Sequence, residues 1–163
     1  MNLTQGTIKY SMKLFLFLFL LVTSVARAEC NSYVIGFRGQ GSAFDQTAFD
    51  RYAERNADCS LVYNSEEITG AVNFINQTKG SYQLYGFSAG ASSIVQVLKK
   101  VRRMPNFVLT IGAWYTTDVD FGDYEINFDN FFDESGRQQK SPGIHVYNIS
   151  HGKMQEYVND FYE

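Results

Sequence analysis

Apolar positions along this chain fall into two kinds of stretch that take turns: short continuous runs, and longer stretches in which apolar residues recur every three or four positions. The run Ser32-Tyr33-Val34-Ile35-Gly36-Phe37 predicts a buried strand, and the glycine-rich Arg38-Gly39-Gln40-Gly41-Ser42 ends it. Over 43–57, Phe44, Ala48, Tyr52 and Ala53 share one side with charges opposite, which predicts a helix. Ser60-Leu61-Val62-Tyr63 predicts a second strand. Ser65 is placed to cap a helix reaching about Gln77, with Ile68, Ala71, Val72 and Ile75 on one face. Tyr82-Gln83-Leu84-Tyr85 predicts a third strand, and Ala91, Ile94, Val95, Leu98 and Val101 make the stripe of the helix after it. Asn106 to Ile111 reads as a fourth strand, about Gly112 to Pro142 as a long loop, and Ile144 to Ile149 as a fifth strand. The last helix, about Lys153 to Phe161, turns Met154, Tyr157, Val158 and Phe161 inward.

Strands alternating with helices across short turns predict an α/β domain, because each crossover brings the chain back to the same edge of a parallel sheet. The expected architecture is a five-stranded, mostly parallel sheet of order 2-1-3-4-5 flanked by helices. Ahead of it, Lys9 and Lys13 precede the apolar run Leu14 to Val22, and Ala26-Arg27-Ala28 supplies the small residues of a cleavage site. Residues 1–28 are therefore expected to be a signal peptide, opened by either Met1 or Met12, and 29–163 a single domain that works outside the cytoplasm, secreted or periplasmic. The run is too short to cross a bilayer, so no membrane span is expected.

Charge narrows the partners. Removing 1–28 takes away three of the fourteen basic residues and none of the seventeen acidic ones, leaving a net charge near −6. Such a surface repels phosphate backbones, which argues against nucleic acid. Cys30 lies just before the first strand and Cys59 just before the second; in an exported protein with those strands side by side, the two are expected to form a disulfide. Neither stands at the strand ends where chemistry is expected.

The chemistry centres on Gly86-Phe87-Ser88-Ala89-Gly90, which sits between the third strand and its helix. A serine on so sharp a turn is raised above the sheet, and the flanking glycines leave the room that a Cβ would fill. A capping serine between two glycines is the ordinary explanation; the strand before and the amphipathic helix after favour a nucleophile elbow. A serine hydroxyl needs a base and an orienting acid. Of two histidines, His145 falls inside a strand, whereas His151 follows the end of that strand on the edge where Ser88 stands, so His151 is the expected base. The acid is sought after the fourth strand, where Asp118 comes first and Asp120 second because they need the least chain to reach the edge; Asp123, Glu125, Asp129, Asp133 and Glu134 also qualify by order. Backbone N–H groups of Gln40 and Ala89 are the expected oxyanion donors, since strands one and three flank the point where the strand order reverses.

These features together, a first strand ending in Arg38-Gly39, the elbow through Ala91 and a histidine on the last strand-to-helix turn, resemble the α/β-hydrolase superfamily, and within it the small, lidless, cutinase-like serine esterases. The resemblance implies Ser88 as nucleophile, His151 as base, Asp118 or Asp120 as acid, Gln40 and Ala89 as the oxyanion hole, no cofactor and no metal. It further implies a monomer acting on a small-molecule or lipid ester or thioester. An inactive binding protein that kept the fold is the other reading. The string Asp118-Val119-Asp120-Phe121-Gly122-Asp123 lacks the glycine at the sixth position of a calcium loop, which argues against calcium.

Overall fold

A computed structural model describes residues 30–41, 44–113, 126–132, 144–146 and 149–162. The expected signal peptide, Asp118, Asp120 and most of the segment around them lie outside the described residues.

In chain order the elements are β1 (Ser32–Phe37), α1 (Gln46–Asn56), β2 (Cys59–Tyr63), α2 (Ile68–Gln77), β3 (Ser81–Phe87), α3 (Ala89–Leu98), β4 (Phe107–Ile111), β5 (Asn127–Phe132), β6 (Ile144–Val146) and, after one 3-10 turn at His151–Lys153, α4 (Met154–Phe161). Every neighbouring pair of strands is parallel, and the order across the sheet is β2-β1-β3-β4-β5-β6. The α/β architecture and the order 2-1-3-4-5 hold. The sheet expected to have five strands has six, because β5 forms inside the stretch read as loop, and the strand read as fifth stands beyond it. Asn127-Phe128-Asp129-Asn130-Phe131-Phe132 has no β-branched residue and three side chains of the kind that strands avoid, which hid it. Its polar positions find partners: the Thr110 hydroxyl on β4 pairs with Asn130, and the Tyr162 hydroxyl with Asp129.

Two cores follow from the alternation of side chains along the strands. On one face Ile35, Phe37, Tyr82, Leu84, Val108 and Phe128 pack under α2 and α3. On the other, Val34, Tyr85, Phe87, Leu109, Ile111 and Phe131 pack under α1 and α4. Along β3 the even positions Tyr82 and Leu84 face one core and the odd positions Tyr85 and Phe87 the other, in unbroken register through Gly86. Among the described residues no helix is long and apolar enough to cross a membrane.

Local chemistry sets the helix ends. The Asp45 carboxylate accepts from the Ala48 N–H at 3.0 Å and starts α1 one turn later than the apolar pattern alone suggested. Ser65 does not cap α2. The turn before it is closed by Glu67, whose carboxylate accepts from the Asn64 N–H at 2.7 Å, while the Ser65 carbonyl accepts from the Ser93 hydroxyl of α3 at 2.6 Å. Val101, expected on the α3 stripe, follows the helix end and is still buried.

The ties between α4 and the rest matter for the site. Gln155 is buried; its carbonyl oxygen accepts from the Asp45 N–H at 2.7 Å and its amide donates to the Tyr85 hydroxyl at 3.0 Å. Asn159 donates to the Ala48 carbonyl at 2.7 Å. The bonds to Asp45 and Ala48 join α4 to α1 and its cap, and the bond to Tyr85 joins α4 to β3. At the opposite, amino-terminal edge of the sheet, Cys30 and Cys59 form the expected disulfide, with Cα atoms 6.0 Å apart, where Tyr33 of β1 stands beside Cys59 of β2.

Candidate functional site

At the carboxyl end of β3 the chain turns into α3 within a single residue. Ser88 adopts φ 55° and ψ −121°, and it is the non-glycine residue with a positive φ among the described residues. A side chain resists that conformation, because its Cβ crowds the neighbouring carbonyl, at a cost of about 1–3 kcal/mol. The surroundings hold it there. The Ser88 N–H donates to the Ile111 carbonyl of β4 at 2.9 Å, and its own carbonyl accepts from the Ala91 N–H at 3.0 Å.

The glycines around it are required by space. A Cβ on Gly86 would come within 2.8 Å of the Ala91 Cα, and one on Gly90 within 2.1 Å of the Phe37 carbonyl oxygen. Gly90 thus lets α3 press against the end of β1. Gly39, in the loop after β1, comes as close from the other side: its Cβ would lie 2.8 Å from the Ser88 Cβ and 3.3 Å from its Oγ. The loop that carries Gln40 is therefore packed onto the serine.

Gln40 is exposed and follows Gly39 directly; Ala89 is half-buried at the first position of α3. The first N–H groups of a helix have no carbonyl a turn earlier to receive them, and among the described residues neither the Ala89 nor the Gln40 N–H donates to a backbone carbonyl. The crevice between β1 and β3 thus brings together the hydroxyl of Ser88, the Gly39-Gln40 loop and the start of α3.

His151 opens the 3-10 turn before α4. Its imidazole packs on the ring of Phe87, the residue before Ser88, with centroids 4.8 Å apart and planes tilted by 32°. The ring is half-buried. Phe87 in turn meets Phe44 at 6.4 Å, and Phe44 carries the Arg38 guanidinium 5.5 Å from its centroid. Arg38, Phe44 and Phe87 were not singled out by sequence reasoning as parts of the site, although Arg38 and Phe87 lie within the two motifs that were.

Of the other expected residues, Asp118 and Asp120 lie outside the described residues, and His145 falls on β6. Cys30 and Cys59 are joined at the far edge. A pocket lined by Cys30, Asn31, Tyr33 and Lys79 opens there too, away from Ser88, and shares no residue with the crevice. Among the described residues no group of histidine, cysteine or carboxylate side chains could hold a metal ion.

Burial raises the pKa of three tyrosine phenols near the core. Tyr82 is pushed up to about 12 by burial, opposed by the positive charge of Arg103. Tyr52 is pushed above the ordinary range by burial and by the Asp129 carboxylate; Tyr85 rises through burial, opposed by its bond from Gln155. At neutral pH all are protonated.

Compared with known proteins, the chain matches no protein-family model, and no curated protein is significantly similar to it.

Proposed function

We propose that this protein is an exported serine hydrolase of carboxylic esters or thioesters, built on a small α/β-hydrolase-like fold and active as a monomer. The observation that carries the reading is the backbone of Ser88: a non-glycine residue held at φ 55° on a one-residue turn from strand to helix, between two glycines that admit no side chain. Strain of this kind persists only where the surroundings enforce it, and it raises a hydroxyl clear of the sheet. The His151 ring, packed on the ring of Phe87, the residue before Ser88, supports its assignment as the base. The disulfide agrees with an oxidising compartment.

In this reading Ser88 Oγ forms a bond to the acyl carbon while its proton passes to His151. Gln40 and Ala89 N–H groups receive the negative charge that grows on the carbonyl oxygen. The bond to the leaving alcohol or thiol then breaks as His151 returns the proton, leaving an acyl-enzyme. Water, deprotonated by the same imidazole, attacks the acyl carbon; the bond from that carbon to Ser88 Oγ then breaks as His151 returns the proton to Oγ, and the acid is freed. Lipid or other acyl esters are the substrates implied by the family resemblance.

An aspartate has to orient the imidazole. Asp118 and Asp120 remain the first two candidates. The least-chain argument that ranked them also applies to β5, which runs parallel to β3 and ends at Phe132, so that Asp133 is the next residue in sequence.

The test is turnover of a chain-length series of 4-nitrophenyl esters, together with fluorophosphonate labelling of the protein. Ser88→Ala and His151→Ala are expected to lose about three orders of magnitude or more in turnover, and one of Asp118→Asn, Asp120→Asn and Asp133→Asn to follow them. Labelling that persists in Ser88→Ala would overturn the assignment. Absence of both turnover and label in the native protein would leave a binding protein that shares the fold.

A further inference from the structure

We propose that the ester taken at this crevice carries a carboxylate, received by the guanidinium of Arg38; this rests on the serine-hydrolase reading above. Arg38 is the first residue after β1 and directly precedes Gly39, whose backbone presses on Ser88. Its side chain is exposed yet held from two sides. The guanidinium lies over the Phe44 ring at 5.5 Å, and its Nη2 donates to Gln46 Oε1 at 2.8 Å.

The amide of Gln46 in turn donates to Asp50 Oδ1 at 2.7 Å. A neutral side chain is thus interposed between the cation and the acid of that chain of bonds, and among the described residues no carboxylate forms an ion pair with Arg38. An exposed arginine ordinarily samples many rotamers, and fixing one costs conformational entropy. Here the ring and the amide already fix it, so a ligand that binds the remaining N–H groups pays little of that cost.

Placement connects this cation to the chemistry. Phe44 meets Phe87, and Phe87 bears the His151 ring, so the guanidinium stands on the same side of the sheet as the proposed base. The chain beyond residue 28 carries a net charge near −6, and a fixed positive group beside the crevice runs against that background. A neutral ester gains nothing from it. A carboxylate offers two coplanar oxygens to the planar fork and gains a charge-assisted bond.

The native protein is assayed with mono-(4-nitrophenyl) glutarate and with 4-nitrophenyl pentanoate, esters of equal acyl length that differ in one carboxylate. The expected result is a kcat/KM about tenfold to a hundredfold higher for the glutarate, expressed mainly in KM, and narrowing as salt is raised to molar levels. In Arg38→Gln the ratio is expected to fall to about one, with Arg38→Lys between. A native ratio at or below one, with the pentanoate cleaved and Ser88 labelled by fluorophosphonate, overturns the carboxylate proposal alone. Equal loss on both esters in Arg38→Gln, with the ratio kept, overturns it as well and marks Arg38 as a structural residue. If neither ester is cleaved and Ser88 takes no label, both this proposal and the hydrolase reading fall. The native ratio and its salt dependence decide the matter even where Arg38→Gln does not fold.

Discussion

Ser88 pays for its position in backbone energy, and that cost is measurable separately from any chemistry. Replacing it by glycine removes the side chain that resists φ 55°, whereas alanine keeps a Cβ and therefore the strain. Ser88→Gly is expected to be more stable than Ser88→Ala by about 1 kcal/mol, the relief of strain being partly offset by the freedom that glycine gains when unfolded. Denaturant midpoints of the two variants check this, and an equal or lower midpoint for glycine would show that the turn is relaxed. At this scale much was legible. The serine, its glycines and His151 could be named because each sits at a junction of strand and helix patterns. Gly39 was read as part of a turn, but its press against Ser88 is a contact across three-dimensional space that no spacing encodes. The same holds for Arg38, whose partners Phe44 and Gln46 are close in sequence yet carry no motif.

Among the elements, β3 carries the most. It supplies Tyr82 and Leu84 to one core and Tyr85 and Phe87 to the other, and it delivers Ser88. Its two tyrosines and Tyr52 of α1, whose hydroxyl donates to Gln83 at 3.1 Å, are phenols that the fold keeps protonated. A folded-state pKa above the unfolded value of 10 favours the fold while the phenol is protonated in both states, below pH 10. That contribution is lost as pH rises from 10 through about 12 for Tyr82 and beyond for the other two. Stability against denaturant is therefore expected to fall steeply above pH 10, and Tyr52→Phe to flatten the fall. A flat profile to pH 12 would count against the burial of these phenols. The element that sequence reasoning missed, β5, shows where periodicity stops being informative. Asn127, Asp129 and Asn130 oppose a strand by propensity, and only the edge of β4, with Thr110 waiting for Asn130, makes the pairing favourable.

For the molecule as a whole, the sheet separates two roles to its two edges. The amino edge is fastened by Cys30–Cys59, and the carboxyl edge holds Ser88 and His151. The disulfide closes a loop of 29 residues, for which chain entropy alone gives roughly 3 to 4 kcal/mol. Cys30→Ala/Cys59→Ala is expected to lose about that much stability, read from chemical unfolding, while the variant that remains folded keeps the turnover of the native protein per folded molecule. A selective loss of turnover without loss of stability would show that the far edge reaches the crevice.

The imidazole stands on the 3-10 turn that leads directly into α4, an eight-residue helix whose moorings to α1 include the amides of Gln155 and Asn159. A helix of that length has little strength of its own, so it detaches when those amides let go rather than when the strands separate. Gentle denaturation should then silence the protein while its circular dichroism still reports an intact sheet, and dilution back into buffer should restore it quickly, because only one short segment has to find its seat again.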